Sequence, residues 1–439
     1  MEQTHPDGNT ASGSDTSAVP PRSSLYQVLR NRNFNRLFFA GVASTAGGTI
    51  GSLALIWIAY NSTHSALVVA YVAIAELLAV VVMSLPGGVW VDRYNRRTLM
   101  ILSDVSRAAA MGGLALFFYL MGFGLPVVLV VVFVTSGFST LFGPAENSLI
   151  PSIVHKSELS DANALVRSSR NIISLVSSSV GGVILLVFGA VLSLFFNSLT
   201  YVASAVLIFG VSVSSGAIAR ADPPSQPKER KMTRELAEGL RWLIRKAPGL
   251  WELSISALFM NFFNTMFLTF IVVFVVVTLH GSALVYGLFL AGGTLGGTLG
   301  TFLTARTSAI RHVGKVWVLI YGLACGAALT MLAFSTSPYL SFVLFFAFSL
   351  ASSFGGNAWL TAAQTIVPSE MQGRYFGLDG ILSYGVMPVA QVIGGVLITT
   401  VGITPTVEIA GIGLMVSGVL SLVGRNLWKL DGTVGPVPV

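Results

Sequence analysis

Twelve long apolar runs dominate this sequence, and they constrain its fold more than any other feature. A helix needs about 20 consecutive, mostly apolar residues to cross the hydrocarbon core of a bilayer. Of the 439 residues, 54% are hydrophobic and only 10% are charged, whereas a soluble domain carries about 25% charged residues. We therefore expect an all-α membrane protein with twelve transmembrane helices.

The distribution of basic residues predicts the orientation of these helices. The expected spans lie near residues 34–61, 66–91, 99–121, 126–150, 166–189, 191–214, 253–279, 284–304, 316–334, 339–367, 375–401 and 404–423. With the N-terminus inside, all 25 Lys and Arg residues fall in the cytoplasm or in the cytoplasmic turns of a helix. Basic loops stay on the cytoplasmic side, so we expect a multi-pass protein of the cell membrane with both termini in the cytoplasm.

Polar segments divide the chain into five parts. Residues 1–24 are rich in Ser, Thr and Pro and are expected to form a disordered cytoplasmic tail. Residues 25–214 form a first six-helix bundle, residues 253–427 a second one, and residues 428–439 another cytoplasmic tail. The connection, residues 215–252, contains an apolar stripe among basic residues, formed by Leu236, Leu240, Leu243 and Ile244. This indicates an amphipathic helix on the inner leaflet.

An internal repeat supports two pseudo-symmetric bundles. The segment after the fourth span resembles the segment after the tenth, so that Pro151 corresponds to Pro368. Further along, the pair Gly181-Gly182 corresponds to Gly394-Gly395. Such repeats are typical of secondary transporters, whose substrate site lies at the interface of the repeats near the membrane midplane.

Closely spaced charges separate the second and third spans. Gly88 and Asp92 share one helix face, and three arginines follow at positions 93, 96 and 97. This stretch resembles motif A of the major facilitator superfamily, Gly-x-x-x-Asp-Arg-x-Gly-Arg-Arg, at Gly88, Asp92, Arg93, Arg96 and Arg97. Asn95 replaces the usual glycine of the motif, and since Asn tolerates a left-handed backbone, we expect the turn to be kept.

The resemblance extends over nearly the whole chain after Leu25. Asp104-x-x-Arg107 and the segment 149–165 are similar to the branch that holds enterobactin exporters and macrolide efflux pumps. The resemblance implies the major facilitator fold and export by alternating access. The sequence departs from the antiporter motif in the fifth span, where Ser177-Ser178 stand in the place of Gly-Pro, so antiport is a weaker expectation than the fold.

The charged residues near motif A are candidates for a cytoplasmic gate. We expect Asp92 and Arg96 to form a latch against the eleventh span, where Asp379 is a candidate partner for an arginine. Asp104 and Arg107 are expected to pair within their helix or to join this cluster, because a bare charge at that depth is costly. The alternative is a solvated turn that only sets the topology.

Glu76 is the most isolated carboxylate within the apolar runs. It lies about 16 Å from Ser65 along the second span, close to the midplane, and it is a candidate proton carrier or substrate ligand. The alternative is a neutral glutamic acid that is hydrogen-bonded to a neighbouring helix.

Further polar side chains are candidates for the wall of a substrate cavity. We single out Asn261 and Asn264 in the seventh span, Gln391 in the eleventh and Thr49 in the first. Helices 1 and 7 line the cavity in the resembling family, although polar residues also serve as contacts between membrane helices.

The sequence offers little support for other function classes. It contains no phosphate-binding loop motif, no catalytic triad spacing and one cysteine, so we expect neither an enzyme nor a metal or cofactor site. The expected partners are a small-molecule substrate, protons and the lipid bilayer, without nucleic acid, and the chain is expected to act as a monomer. Proton-coupled efflux of a small amphipathic compound is the favoured function; a small-metabolite importer and a non-transporting receptor are the alternatives.

Overall fold

A computed structural model describes residues 25–155, 158–212, 232–307 and 309–431, and the elements that it assigns there are all helices. The expected tail 1–24, the start of the connection and most of the tail 428–439 lie outside the described residues. The helices are α1 (Leu25–Arg30), α2 (Arg32–Thr63), α3 (Ala66–Arg93), α4 (Arg96–Met121), α5 (Leu125–Ile153), α6 (Leu159–Phe209), α7 (Met232–Lys246), α8 (Pro248–Leu268), α9 (Ile271–Val277), α10 (Ala283–Arg306), α11 (Val313–Val316), α12 (Cys325–Ala333), α13 (Pro338–Ile366), α14 (Ser369–Gly385), α15 (Met387–Val401), α16 (Ile403–Leu420) and α17 (Arg425–Trp428).

The described helices include ten that are long and apolar enough to cross a membrane, or eleven if a bent pair counts as one span. The bent pair is α8 with α9, which meet at an angle of 42°. The segment from α11 to α12 acts as one apolar helix with a π-helical stretch at Trp317–Ala324. The prediction of an all-helical membrane protein is therefore confirmed.

One helix is far too long for a single crossing. Helix α6 has 51 residues, which at 1.5 Å per residue exceeds twice the hydrocarbon thickness of a bilayer. Its path breaks at Gly189, where φ is 77° and ψ is 174°. Glycine suits this site because residues with a Cβ rarely adopt that backbone conformation.

Side chains tie several helix termini together at one end of the molecule, which we call the basic end. The Asn31 amide donates to the Ile153 carbonyl at 2.7 Å, and the Asn33 amide donates to the Ser212 carbonyl at 2.9 Å. The Arg97 guanidinium donates to the Ile208 carbonyl at 3.2 Å. We call the other end, where α2 ends at Thr63 and α4 at Met121, the opposite end.

Two groups of helices pack mainly among themselves, and we call them the first half (residues 32–209) and the second half (residues 248–420). Contacts between the halves join α6 to α10 and α3 to α15. At the first contact, a Cβ added at Gly287 would lie 2.7 Å from the Gly182 Cα. At the second, a Cβ at Gly395 would lie 3.0 Å from the Leu67 side chain. Both contacts lie toward the opposite end, so the halves are closed there.

Helix α7 covers the predicted amphipathic segment, and part of its apolar side packs on protein while Ile244 is 46% exposed. Trp242 and Leu243 are buried, and α7 contacts α8 and α14. An ion pair of 3.2 Å joins Glu238 of α7 to Arg374 of α14. The connection between the halves is thus attached to the second half, while Arg241 and Arg245 remain exposed.

Candidate functional site: a charged cavity beside the first half

A cavity of about 720 Å³ lies between the two halves. Five helices of the first half supply most of its wall, and the second half contributes Leu268, Tyr286 and Leu290. Tyr286 stacks on Trp57 of α2, with ring centroids 6.1 Å apart, and this pair joins the halves. The polar and charged lining residues are Ser44, Thr45, Thr49, Ser52, Glu76, Arg107, Thr135, Ser136, Ser139, Thr140, Glu146, Arg170, Tyr201 and Tyr286.

Asp104 and Arg107 form an ion pair at the centre of the first half. Their side chains are 0% and 4% exposed. The Asp104 carboxylate accepts a hydrogen bond from Ser204 of α6 at 2.6 Å, and the Arg107 guanidinium donates to Ser44 of α2 at 3.0 Å. These bonds join α2, α4 and α6 around one buried charge pair, which is how an intramembrane ion pair becomes tolerable.

Two aromatic rings enclose the guanidinium of Arg107. Its Cζ lies 4.3 Å from the ring centroid of Tyr201 and 5.1 Å from that of Phe142. Both distances fall within the range of cation–π attraction. The rings therefore add to the ion pair in holding Arg107 at the cavity wall.

A second ion pair joins α5 to α6, between Glu146 and Arg170. The Glu146 side chain is 2% exposed and that of Arg170 is 39% exposed, so the pair presents its arginine to the cavity. Gly41 of α2 leaves room for this carboxylate, since a Cβ there would lie 2.7 Å from the Glu146 Oε1.

Glu76 differs from the two paired carboxylates, Asp104 and Glu146. It is exposed on α3 and lines the cavity. Among the described residues, no lysine, arginine or histidine lies within ion-pair distance of it. The first half thus holds two paired carboxylates, Glu146 in the cavity lining and Asp104 fully buried, and one unpaired carboxylate, Glu76, that lines the cavity.

Of the four other predicted cavity residues, Thr49 lines the cavity. Asn261, Asn264 and Gln391 do not line it in this conformation. The Asn264 amide donates to the Tyr321 hydroxyl at 3.1 Å, and Gln391 is only 7% exposed.

The motif A segment forms the turn between α3 and α4. Asn95 caps α4 by accepting hydrogen bonds from the backbone N–H groups of Arg97 and Thr98 at 3.0 and 3.4 Å. Its φ of −62° is not left-handed, so the expected reason for tolerating Asn was wrong: Asn serves here as an N-cap. The surroundings of Gly88 and the side chain of Asp92 lie outside the described part of the structure.

The other predicted gate residues do not form a single cluster in this conformation. Arg93 is exposed and Arg96 half-buried. Asp379 is 6% exposed and accepts a hydrogen bond from Ser383 at 3.4 Å within its own helix. Asp104 and Arg107 lie inside the first half, because Arg107 is about 16 Å from Arg96 along α4 and bonds to α2 rather than to the surface turn. The expectation that every basic residue lies in a cytoplasmic turn therefore fails at Arg107.

Sequence reasoning missed the pair Glu146–Arg170. A signal was present, because Glu146 lies within an apolar run and intramembrane carboxylates mark functional sites. Its partner could not be identified from the sequence, since the two residues come together only when α5 packs beside α6. Among the described residues, no group of three or more His, Cys, Asp or Glu is arranged to hold a metal ion.

This chain resembles known proteins along most of its length. The family model described as "Transmembrane secretion effector" matches residues 23–431. The chain is 26% identical over 406 residues to "Uncharacterized MFS-type transporter YvqJ" of Bacillus subtilis (strain 168), which covers 91% of this chain and 94% of that protein. It is 24% identical over 412 residues to "Multidrug efflux pump Tap" of Mycolicibacterium fortuitum, which covers 90% of this chain and 96% of the pump.

Solved structures share the helix arrangement. A bacterial homologue of the iron transporter ferroportin has a TM-score of 0.67 at 15% identity and covers 92% of this chain and 99% of its own. A D-xylose–proton symporter has a TM-score of 0.64 at 13% identity, with 93% and 99% covered. At such identities the likeness concerns the fold alone.

Proposed function

This chain belongs to the transmembrane secretion effector family of the major facilitator superfamily, and we propose that this membrane transporter exports a small amphipathic compound in exchange for protons. The observation that carries the proposal is the cavity between the halves, closed toward the opposite end and containing the unpaired carboxylate of Glu76. Its volume of about 720 Å³ suits a drug-sized compound. The relative named as a multidrug efflux pump supports the outward direction.

The proposed topology has twelve spans in two halves with both termini in the cytoplasm. Ten membrane-length helices are described, the bent pair α8–α9 adds one, and the break at Gly189 divides α6 into two. The basic end is then cytoplasmic, and the present conformation has its cavity directed inward.

The proposed mechanism of transport is alternating access, in which the cavity opens to one side of the membrane at a time. The halves separate at Gly182 and Gly287 while the basic ends close, which moves the cavity from the inner to the outer side. In that second conformation Asp92 and Arg96 latch against α14, with Asp379 as a partner. Glu76 takes a proton from outside and releases it inside, as a carboxyl group exposed to the cavity in both conformations is able to do.

The buried pair Asp104–Arg107 has a different role from the gate in the surface turn. Asp104 and Arg107 join α2, α4 and α6, so they keep the first half rigid while it rotates. In this assignment Gly88, Asp92, Arg93, Arg96, Arg97 and Asp379 form the cytoplasmic gate, and Thr49 contributes to the substrate wall. Asn261, Asn264 and Gln391 remain candidates for the wall of the outward-directed cavity.

A growth-inhibition and dye-accumulation panel in a host without its own efflux pumps tests this function. The panel spans macrolides, other lipophilic drugs and siderophores, with and without a protonophore, and includes the Glu76→Gln variant. We expect resistance to at least one class that is lost with the protonophore and in the variant. A flat panel with the protein present in the membrane would contradict efflux of such compounds.

A further inference from the structure

The charges in and around the cavity do not balance, because one carboxylate, that of Glu76, has no counter-charge among the described residues. Asp104 is neutralised by Arg107 and Glu146 by Arg170. Both arginines are thereby committed to carboxylates of the first half. Asp104 is fully buried and does not line the cavity, but it neutralises Arg107, which does. With Glu76, Glu146 and Asp104 ionised, three negative and two positive charges leave one negative charge, and it belongs to Glu76.

The aromatic rings of the first half offer little attraction to a cation in the cavity. Phe142 and Tyr201 face the guanidinium of Arg107 at 5.1 and 4.3 Å. A second cation on the same ring would meet the positive charge of Arg107. Glu76 is therefore the one cavity group, among the described residues, that is free to hold a cation by its charge.

Part of the cavity surface is suited to an apolar body, beside the serine and threonine side chains that α2 and α5 contribute. Neighbours on the same helix, Val72 and Val80, line the cavity, and Met111 does so from α4. From the second half come Leu268 and Leu290. These walls favour apolar surface, and the second half supplies no charged group to the lining.

We propose that the exported compound is a lipophilic monocation that places its charge against Glu76 and its apolar body against the second half. The inference rests on the proposed export function and specifies its substrate class. A monocation and a proton then compete for one carboxylate: the O–H bond of Glu76 breaks as the cation binds, and the proton leaves the cavity. One cation exchanged for one proton moves no net charge.

Binding to the purified protein in detergent tests the charge preference with two probes of similar shape and opposite charge, tetraphenylphosphonium and tetraphenylborate. We expect the phosphonium to bind with proton release and the borate not to bind. Glu76→Gln should weaken phosphonium binding by about tenfold or more, while Glu76→Asp, which keeps the charge, should retain most of it. Glu408→Gln removes a carboxylate of α16 that does not line the cavity and serves as the matched control.

The outcomes separate this inference from the export function. Tetraphenylborate binding, or phosphonium binding that Glu76→Gln leaves unchanged, would overturn the charge assignment. Proton-driven transport that is confined to uncharged compounds would overturn it too, and would leave export standing. Phosphonium binding that depends on Glu76 would support the assignment even if vesicles showed no outward transport, a result that would count against export alone.

Discussion

Gly182 and Gly287 bring the two halves into backbone contact: a Cβ at Gly287 would lie 2.7 Å from the Gly182 Cα and 2.6 Å from the Ser178 carbonyl oxygen. Backbone atoms cannot move aside as a flexible side chain can. A methyl group at this contact would therefore push α10 away from α6. Since the halves meet here, we expect this contact to control the closed end of the cavity.

Gly287→Ala is expected to favour the conformation that is open at the opposite end. A single cysteine at Ile56, in a background where the buried Cys325 is replaced by Ser, reports access to the cavity. We predict several-fold faster labelling by a membrane-impermeant maleimide from the outside in the alanine variant. Gly113→Ala is the matched control, because a Cβ there meets nothing within 4 Å. Equal labelling in both variants would show that this contact does not control access.

Because Asp104 and Arg107 are paired and buried, we expect the single substitution of Arg107 to lower the thermal stability more than substitution of both residues does. Arg107→Gln leaves the Asp104 carboxylate, which is fully buried, without its counter-charge, at a cost of about 3–5 kcal/mol. We expect a lower Tm for thermal unfolding in detergent, with most of the loss recovered in the double variant Asp104→Asn, Arg107→Gln. A double variant no more stable than Arg107→Gln would mean that the loss comes from packing on Phe142 and Tyr201 rather than from the unpaired charge.

The proposed latch predicts that the distance between residues 96 and 379 changes with conformation. Asp379 is turned into the second half here, with Ser383 as its hydrogen-bond donor. Cysteines at positions 96 and 379 should cross-link poorly in the Cys325→Ser background. Adding Gly287→Ala should raise the yield several-fold, because closing the basic end brings α3 and α4 toward α14. A yield that does not respond to Gly287→Ala would remove Asp379 from the latch.

Length and apolar composition were enough to predict the helical membrane fold. The second predicted span, residues 66–91, corresponds to α3 at Ala66–Arg93, because an apolar run sets the minimum length of a crossing helix. The fifth predicted span, near residues 166–189, covers only part of the helix that contains it, since α6 begins at Leu159. A polar stretch such as 160–164 continues a helix beyond the bilayer, since helical hydrogen bonding does not require apolar side chains.

The site could be predicted only in part. Glu76 was found because a lone carboxylate in an apolar run is conspicuous. Which face of a uniformly apolar helix lines a cavity depends on packing, and that is why Asn264 was proposed for the wall although it bonds to Tyr321. For the same reason, the pairing of Glu146 with Arg170, 24 residues away along the chain, was not evident from the sequence.

Proton-driven uptake into everted membrane vesicles tests the central claim most directly. An imposed pH gradient, acidic inside, should drive accumulation of tetraphenylphosphonium, and collapsing the gradient with nigericin should abolish it. Because one cation exchanges for one proton, the rate should be insensitive to a membrane potential set with valinomycin and K⁺. Glu76→Gln should lose this uptake and Glu408→Gln should keep it. Uptake with the same pH dependence in Glu76→Gln would contradict the account, because Glu76 could then not be the group that exchanges the proton for the substrate.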